Sequence, residues 1–402
     1  MTASPRVRLK YTCEGGGAYG LNIPASAYVD KGVRLLRTSD LAGGKLAAED
    51  GAIFVPEDAV EPDHLLRPND LLLSRSGTVG RAFLVPADAA GMAYAGFLVR
   101  YRTGRKVVPR YAYYCTQSAE FQFSVQAEAI TSTIQNFNAE RYNNLTIPLP
   151  SLDEQQAVAD YLDRETVRID TLIEEQQRLI ELLGERRSGL IEHALVKGLD
   201  PQASTVPTPV PWLAGAEVPA HWQVTRIRYV IAEMRAGVSI TAEQIEPEGP
   251  YRVFGGNGVR GYTDSCTHSG TFVLVGRQGA LCGNVHLVEG EFWASEHAIV
   301  ATPVAGVDPV WLTHMLRLMD LGQYSMTAAQ PGIGVGQILP LALPLPRLHE
   351  QRAIGRHVDE QTAKIDELIA ETERFIELSR ERRSALITAA VTGQIDVRDE
   401  VA

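Results

Sequence analysis

The sequence contains one long stretch twice: Ile147 begins IPLPSLDEQQAVADYLDRETVRIDTLIEEQQRLIELLGERRSGLIEHAL, and Leu343 begins LPLPRLHEQRAIGRHVDEQTAKIDELIAETERFIELSRERRSALITAAV. The two copies align without a gap at an offset of 196 residues, the distance that separates Glu154 from Glu350. This offset is far longer than the repeat of a solenoid protein, so it indicates that a whole module has been duplicated.

Both copies have the residue pattern of a long amphipathic helix. From Leu152 onward, apolar residues recur at alternating steps of three and four, with Glu and Arg between them. An isolated helix of this kind would leave its apolar stripe in water. We therefore predict that the two copies pair, in the antiparallel sense because a large domain separates them, and that each is about 60 Å long for about 40 residues. We call the predicted contact between the two helices the seam. Its predicted residues are Ile169, Leu172, Leu179, Ile365, Leu368 and Phe375.

The remaining sequence predicts an α+β fold with two similar mixed α/β domains. Short apolar runs, such as residues 71–73 and 83–85, are bounded by Gly, Pro and Asp, as strands usually are. We expect a pseudo-twofold internal repeat in which the two long helices separate the two mixed domains. The predicted boundaries are 1–147 for the first mixed domain, 148–200 for the first helix, 201–211 for a Pro-rich linker, 212–343 for the second mixed domain, and 344–402 for the second helix and C-terminal tail.

Composition limits the class of protein. At 402 residues the chain exceeds what one hydrophobic core usually serves. The first residues contain no apolar run of the signal-peptide type. The sequence also lacks a run of about 18 apolar residues, which a membrane span would need, so we expect a cytoplasmic protein. The 4 cysteines form no C-x-x-C pair, which suits a reducing compartment, and the sequence predicts no metal site.

The net charge of −11 is concentrated on the predicted helices. Residues 151–200 hold 6 Lys and Arg against 12 Asp and Glu, and residues 348–402 hold 8 against 12. Residues 1–150, in contrast, hold 16 against 14. The charge of the mixed domains therefore neither requires nor excludes a polyanionic partner.

Recognised catalytic patterns are missing from the sequence. It has no P-loop, no G-x-S-x-G and no H-E-x-x-H. Gly15-x-Gly17-x-x-Gly20 formally matches a dinucleotide fingerprint, but Pro24 stands where the helix of that fingerprint should begin, so we interpret the glycines as a turn. The pattern favours a binding protein, although catalytic side chains dispersed along the sequence could still meet in space.

Polar loops of the mixed domains are the predicted binding residues. DLLLSRSGTVGR (70–81) runs from a strand into a turn flanked by arginines, and TFVLVGRQGALCGN (271–284) is its counterpart. Short donors, glycines that allow close approach, and bidentate Arg or Gln side chains are what contact with DNA requires, although such turns are also common on other surfaces. The predicted DNA-contacting residues, which include polar positions of 130–141 and 255–260, are Arg75, Ser76, Thr78, Arg81, Thr133, Gln135, Asn136, Asn138, Asn257, Arg260, Arg277 and Gln278.

Taken in order, these features resemble the DNA-specificity subunit of a type I restriction–modification system. The resemblance rests on the doubled helix starts IPLPSLDEQ (147–155) and LPLPRLHEQ (343–351), each followed by ERRS-(G/A)-L-I, and on PWLAGAEVPAHWQVTRIRYV (211–230). It covers essentially the whole chain. It implies two target-recognition domains, each reading one half of a bipartite, asymmetric double-stranded DNA site, with the paired helices setting the number of unread bases between the halves.

The resemblance also implies partners. The paired helices would dock two methyltransferase subunits and, through them, restriction subunits with translocase and nuclease activity. S-adenosylmethionine, ATP and Mg would belong to those partners, so this chain would hold no cofactor and would not be an enzyme. Beyond the seam, the implied docking positions are Glu154, Gln155, Glu350 and Gln351. Two alternatives stay open: a specificity subunit of another methyltransferase-type defence system, and a nuclease with dispersed catalytic residues.

Overall fold

The computed structural model describes residues 4–44, 46, 48, 50–130, 137–325 and 331–397. The chain divides into two compact units, the first made of residues 1–177 and 373–402 and the second of residues 178–372. The division runs through both long helices, so each helix contributes one part to each unit. The predicted α+β class with paired long helices is confirmed.

The first unit is built from short strands and helices around the beginning of one long helix and the end of the other. Its sheets have the strand orders β2-β8-β5-β6, β4-β3-β7 and β1-β9 among the described residues. In chain order the elements are β1 (Arg6–Arg8), β2 (Ala18–Tyr19), β3 (Val33–Leu36), β4 (Ile53–Val55), β5 (Leu71–Ser74), β6 (Ala82–Leu84), β7 (Ala93–Tyr94), β8 (Leu98–Tyr101), α1 (Pro109–Gln117), α2 (Ala119–Ile130), α3 (Ala139–Asn144), β9 (Thr146–Pro148) and the long helix α4 (Leu152–Lys197).

The second unit has longer strands. Within the described part of the chain its main sheet has the order β13-β18-β16-β17-β14-β15, and β10-β11 and β12-β19 form small pairs. Strand β10 lies inside the predicted linker, which is therefore partly ordered by β11. The elements are β10 (Thr205–Pro207), β11 (Glu217–Pro219), β12 (Gln223–Arg226), β13 (Ile231–Ala236), β14 (Tyr251–Gly255), β15 (Gly258–Thr263), β16 (His268–Gly276), β17 (Val285–Ala294), β18 (Ala298–Pro303), α5 (Pro309–Leu318), α6 (Val335–Ile338), β19 (Ala342–Leu345) and the long helix α7 (Leu348–Val391).

In each unit, the strand that opens the module pairs with the strand that leads into a long helix. Strand β1 is antiparallel to β9, with Arg8 opposite Thr146, and β12 is antiparallel to β19, with Arg226 opposite Ala342. The hydrophobic core of each unit then takes in residues of both long helices, for example Leu162 and Ile387 in the first unit. The duplicated sequence therefore folds as a duplicated structure.

A buried glutamine joins each long helix to its module. Gln155 accepts a hydrogen bond from the backbone nitrogen of Val108 at 2.9 Å and donates to the carbonyl of Pro150 at 2.9 Å. In the second unit, Gln351 accepts from the backbone nitrogen of Asp308 at 2.8 Å and donates to Pro346 at 2.9 Å. The two glutamines are 0% and 1% exposed. The inference that they dock a partner is therefore wrong, because no partner can reach them.

The neighbouring glutamates also have roles within the chain. The Glu154 carboxylate accepts from the backbone nitrogen of Ser151 at 3.0 Å, which closes a capping box at the start of α4. Glu350 accepts from His221 at 2.8 Å and from the Trp222 indole at 3.2 Å. Burial alone would raise the pKa of Glu350, but these hydrogen bonds hold it below its usual value. Both carboxylates thus support the helix starts.

The two long helices run antiparallel. In the first unit, Arg383 donates to both carboxylate oxygens of Asp170 at 2.8 and 3.2 Å. In the second unit, Arg187 donates in the same way to Asp366 at 2.7 and 3.2 Å. As the residue number rises along α4, the number of its partner on α7 falls, which confirms the predicted sense. Partly exposed ion pairs contribute roughly 1 kcal/mol or less each, so their main effect is to fix the register.

Burial along the helices corrects part of the predicted seam. Ile169 and Ile365 are buried, as predicted. Leu368 and Phe375, however, are 49% and 44% exposed, and Leu179 is 39% exposed. These three residues lie outside the contact between the helices.

The seam was partly mispredicted because two apolar stripes on α7 have some residues in common. From Ile365, a first step of three leads to Leu368 and Phe375, whereas a first step of four leads to Ile369 and Ile376, and both stripes pass through Thr372. In α7 the structure buries Thr372 and Ile376 of the second stripe and half-buries Ile369. In α4 the half-buried Ile180 likewise replaces the predicted Leu179, whereas the predicted Leu172 and its neighbour Ile173 are both half-buried. Leucine and isoleucine are both apolar, so hydrophobicity alone did not distinguish the two registers.

We expect Gln155→Ala and Gln351→Ala each to lower the free energy of unfolding by about 1–3 kcal/mol, because each leaves a buried backbone N–H without an acceptor. Urea denaturation followed by circular dichroism measures the change. Gln156→Ala, which alters an exposed neighbour on the same helix, is the matched control and should change the free energy by less than about 1 kcal/mol. Equal effects of Gln155→Ala and Gln156→Ala would contradict the anchoring role.

The seam register predicts that alanine substitutions at two adjacent residues of α7 differ in their effect on the free energy of unfolding. Ile376 is 5% exposed, so Ile376→Ala should lower the free energy of unfolding by roughly 2 kcal/mol or more. Phe375→Ala removes a larger side chain from the exposed stripe and should cost less than about 1 kcal/mol. The same denaturation experiment compares the two variants, and a larger loss for Phe375→Ala would restore the register predicted from the sequence.

Candidate nucleic-acid interface

Three loops of the first unit meet around Arg75. The backbone nitrogen of Arg75 donates to the carbonyl of Phe97 at 2.9 Å, and the backbone nitrogen of Phe137 donates to the carbonyl of Arg75 at 2.8 Å. The Arg75 guanidinium also donates to the carbonyl of Gly96 at 3.4 Å and lies 4.7 Å from the centre of the Tyr19 ring. We call residues 75–81, 95–97 and 137–138 the first loop cluster.

The second unit repeats this arrangement around Arg277. Its backbone nitrogen donates to the carbonyl of His297 at 2.8 Å, and the backbone nitrogen of Ile333 donates to the Arg277 carbonyl at 2.9 Å. The Arg277 guanidinium donates to the carbonyl of Glu296 at 3.3 Å. We call residues 277–284, 295–297, 331–333 and the turn 256–260 the second loop cluster. The same set of hydrogen bonds therefore joins equivalent loops in both units.

This geometry gives Arg75 and Arg277 a role that the sequence did not indicate. Both were predicted to contact DNA, yet each is half-buried and uses its guanidinium group to hold a carbonyl of a neighbouring loop. An arginine placed in this way fixes the relative positions of the loop tips. The loops 95–97 and 295–297, which sequence reasoning missed, carry no repeated motif and become visible only through these hydrogen bonds.

A tyrosine fixes the hairpin of the first loop cluster. The Tyr142 hydroxyl donates to the carbonyl of Ser74 at 2.7 Å and accepts from the backbone nitrogen of Gly80 at 2.8 Å. Burial raises the pKa of Tyr142, so its hydroxyl stays protonated and remains a donor. Gly80 has a φ of 84°, and a Cβ atom there would lie 2.9 Å from the Gln122 side chain. The turn therefore needs glycine at this position.

The tips of the first loop cluster present small hydroxyls, a cation and an aromatic ring. Thr78 and Arg81 are exposed and Ser76 is half-exposed, while Phe97, which was not predicted, is 60% exposed. Asn138 is exposed, but its side-chain oxygen accepts from the backbone nitrogen of Arg141 at 2.9 Å and caps α3. The predicted contact residues Thr133, Gln135 and Asn136 lie outside the described residues.

The second loop cluster forms an open cleft of about 440 Å³. Its polar lining consists of Asn257, Arg260, Gln278 and His297, of which the first three were predicted from the sequence. Asn257 accepts a hydrogen bond from the side chain of Asn284 at 2.6 Å, so the tip of the β14–β15 turn is tied to the loop after β16. Amide, guanidinium and imidazole groups of this kind match the donors and acceptors on base edges.

The glycine pattern near the N-terminus is a turn, as predicted. Gly15 and Gly16 have φ values of 75° and 76°, and the short strand β2 follows them where a dinucleotide-binding helix would be required. A Cβ atom on Gly20 would lie 2.1 Å from the carbonyl oxygen of Tyr94. The glycine at position 20 therefore allows two backbone segments to approach each other, and no pyrophosphate site follows from it.

Among the described residues, no group of three or more His, Cys, Asp or Glu side chains is arranged to hold a metal ion. No helix in that part of the chain is both long and apolar enough to cross a membrane.

Comparisons with known proteins agree with this architecture. The family model of the type I restriction modification DNA specificity domain matches residues 62–182 and 219–378. The EcoprrI type I restriction enzyme specificity subunit of Escherichia coli is 42% identical over 158 residues, which span 38% of this chain and 38% of that subunit. The MjaVIII specificity subunit of Methanocaldococcus jannaschii is 21% identical over 365 residues, covering 83% of this chain and 81% of its own length.

A solved structure shares the fold over nearly the whole length. It is a chain from a study of complex assembly and conformational transition of the type I R-M system, with a TM-score of 0.77, 16% identity, and coverage of 98% of this chain and 99% of that one. At this identity the likeness establishes the fold alone.

We expect Arg75→Ala and Arg277→Ala to loosen their own loop clusters without unfolding the units. Each variant loses a hydrogen bond worth about 1 kcal/mol, so hydrogen exchange of the loop amides at 75 and 137, or at 277 and 333, should accelerate by roughly fivefold to tenfold. Hydrogen–deuterium exchange measures this directly. Arg260→Ala, which removes an exposed arginine from the rim of the cleft, is the control. Faster exchange throughout the unit would contradict a local role.

Proposed function

The chain belongs to the type I restriction–modification DNA specificity family, and from this premise we propose that it selects the DNA sequence on which a type I methyltransferase or restriction complex acts. It would read a bipartite, asymmetric site, one half with each loop cluster, and would perform no catalytic step itself. The aligned part of the EcoprrI subunit is 38% of that protein, so the proposal rests mainly on the loop clusters and the helices described above.

The observation that carries the proposal is that the two loop clusters share the same hydrogen bonds but have different side chains at their loop tips. Arg75 and Arg277 make the same hydrogen bonds in their own units, whereas the side chains at the tips differ, with Ser76 and Phe97 in the first cluster and Gln278 and His297 in the second. A common frame would place each cluster against DNA in a similar way. Different tips would then read different bases, because specificity comes from side chains that meet base edges. An asymmetric site follows.

The long helices support the proposed docking of partner subunits. Residues 151–200 hold 6 basic against 12 acidic residues, a balance that disfavours contact with phosphates. The stripe outside the seam presents apolar side chains to solvent, and such exposed groups are typical of protein interfaces. Its exposed members are Leu179, Leu182 and Leu368 in the second unit, and Phe375 and Leu378 in the first unit. We propose that methyltransferase subunits cover this stripe, and that restriction subunits join the complex through them.

The proposed division of labour assigns the small molecules to the partners. S-adenosylmethionine would be held by the methyltransferase subunits, and ATP and Mg by the restriction subunits. This chain would contribute recognition, and the paired helices would set how many base pairs lie unread between the two half-sites. Half-site spacing fixed by a rigid element is the usual arrangement in DNA-binding proteins that read two separated sequences.

The acidic balance predicts that the isolated chain binds DNA weakly. Residues 1–150 hold nearly equal numbers of basic and acidic residues, 16 against 14, so we expect the chain by itself to bind phosphates weakly. Specific affinity at about 150 mM salt should then rise at least tenfold when methyltransferase subunits are added. Fluorescence anisotropy with DNA taken from sites methylated in the host measures both affinities, and a salt titration gives the number of phosphates contacted. A scrambled duplex is the control.

Two results would contradict the proposal. Tight, salt-resistant and sequence-specific binding by the isolated chain would remove the need for partners. Methylation or cleavage of DNA by the purified chain, with S-adenosylmethionine or Mg alone, would make it an enzyme.

A further inference from the structure

The second loop cluster joins two side chains that stand far apart in the sequence. Gln278 lies on the turn after β16, and His297 lies on the turn before β18. The Nδ1 atom of His297 is 3.2 Å from the Oε1 atom of Gln278, so the two side chains share a hydrogen bond. Both face the cleft that Asn257 and Arg260 complete.

The backbone on either side of this pair is fixed. Arg277 donates its backbone N–H to the carbonyl of His297 at 2.8 Å, and Gly279 donates its own to the carbonyl of Pro331 at 3.0 Å. Gln278 itself forms an isolated bridge with Gly332. The other imidazole nitrogen of His297 lies 3.3 Å from a carboxylate oxygen of Glu296. The glutamine is therefore exposed in its side chain but held in place through its backbone and through His297.

The amide of Gln278 keeps hydrogen-bonding capacity for a ligand. A carbonyl oxygen has two lone pairs and an amide nitrogen carries two N–H groups, and the bond to His297 uses one lone pair. The remaining acceptor and the adjacent donor have the spacing of an adenine edge in the major groove, where N6 donates and N7 accepts. Fixing a long side chain such as Gln278 in one rotamer costs conformational entropy and so does not stabilise the fold. Because that cost has been met before binding, the fixed amide is suited to recognising a ligand.

We propose, on the basis of the function proposed above, that Gln278 reads an adenine in the half-site recognised by the second unit and that His297 is its positioning residue. The Gln278 nitrogen donates to adenine N7, and its oxygen accepts from the N6 amine while keeping the hydrogen bond to His297. In the first loop cluster the equivalent places hold Ser76 and Phe97, since Arg75 makes the same backbone bond to Phe97 as Arg277 makes to His297. Ser76 and Phe97 carry no side-chain amide, so these two positions cannot read adenine in this way.

The test uses the full chain assembled with its methyltransferase subunits and a library of random duplexes, with sequencing of the methylated products. Gln278→Ala should lower discrimination at one adenine–thymine pair of one half-site by about 5- to 150-fold and leave the other half-site unchanged. His297→Ala should relax the same pair to a smaller extent. His297→Asn should recover part of the loss, because its amide can again donate to Gln278.

The controls separate recognition from folding and assembly. Gln223→Ala removes an exposed glutamine from β12 in the same unit and should leave the methylated sequence unchanged. If the wild-type assembly methylates no bipartite sequence, the proposed function fails. If its bipartite sequence is intact but Gln278→Ala leaves that sequence unchanged, relaxes a guanine–cytosine pair, or relaxes both halves equally, the reading role of Gln278 is wrong while the proposed function stands.

Discussion

A buried glutamine amide fastens each long helix to its own module, and the rest of the structure depends on this contact. Gln155 and Gln351 each satisfy a backbone N–H at the start of a module helix and a carbonyl at the start of the long helix. A buried polar group left unpaired costs about 1–3 kcal/mol, so neither end of the contact can be given up cheaply. The direction in which each long helix leaves its module is thereby set.

Backbone hydrogen bonds also explain how the chain combines the same loop arrangement in both units with different side chains at the loop tips. Backbone hydrogen bonds around Arg75 and Arg277 do not depend on the side chains at the loop tips, so the tips can differ while the loops stay in place. Ser76 and Phe97 offer a hydroxyl and an apolar ring, whereas Gln278 and His297 offer a held amide. Duplication of a module followed by divergence of its tips is a direct route to a protein that reads two unlike half-sites.

The long helices have an inner and an outer face with different tasks. The inner stripe, which includes Ile365 and Ile376, is buried, and the cross-helix pairs Arg383–Asp170 and Arg187–Asp366 fix its register. The outer stripe exposes leucine and phenylalanine side chains on an acidic surface. Helices with only a stabilising role would not need the second stripe, and this is why we assign it to partner subunits.

The sequence by itself determined the duplication, the helix pairing and its antiparallel sense, because an ungapped repeat at an offset of 196 residues and a heptad-like pattern leave few other ways to bury two long stripes. It also pointed to the loops around Ser76 and Gln278. Only the tertiary structure chose Ile376 over Phe375 for the seam, since both stripes are apolar. It also removed Gln155 and Gln351 from the docking surface and brought Phe97 and His297 to the loop tips. Contacts between residues far apart in the chain decide burial and hydrogen bonding, and a local pattern does not record them.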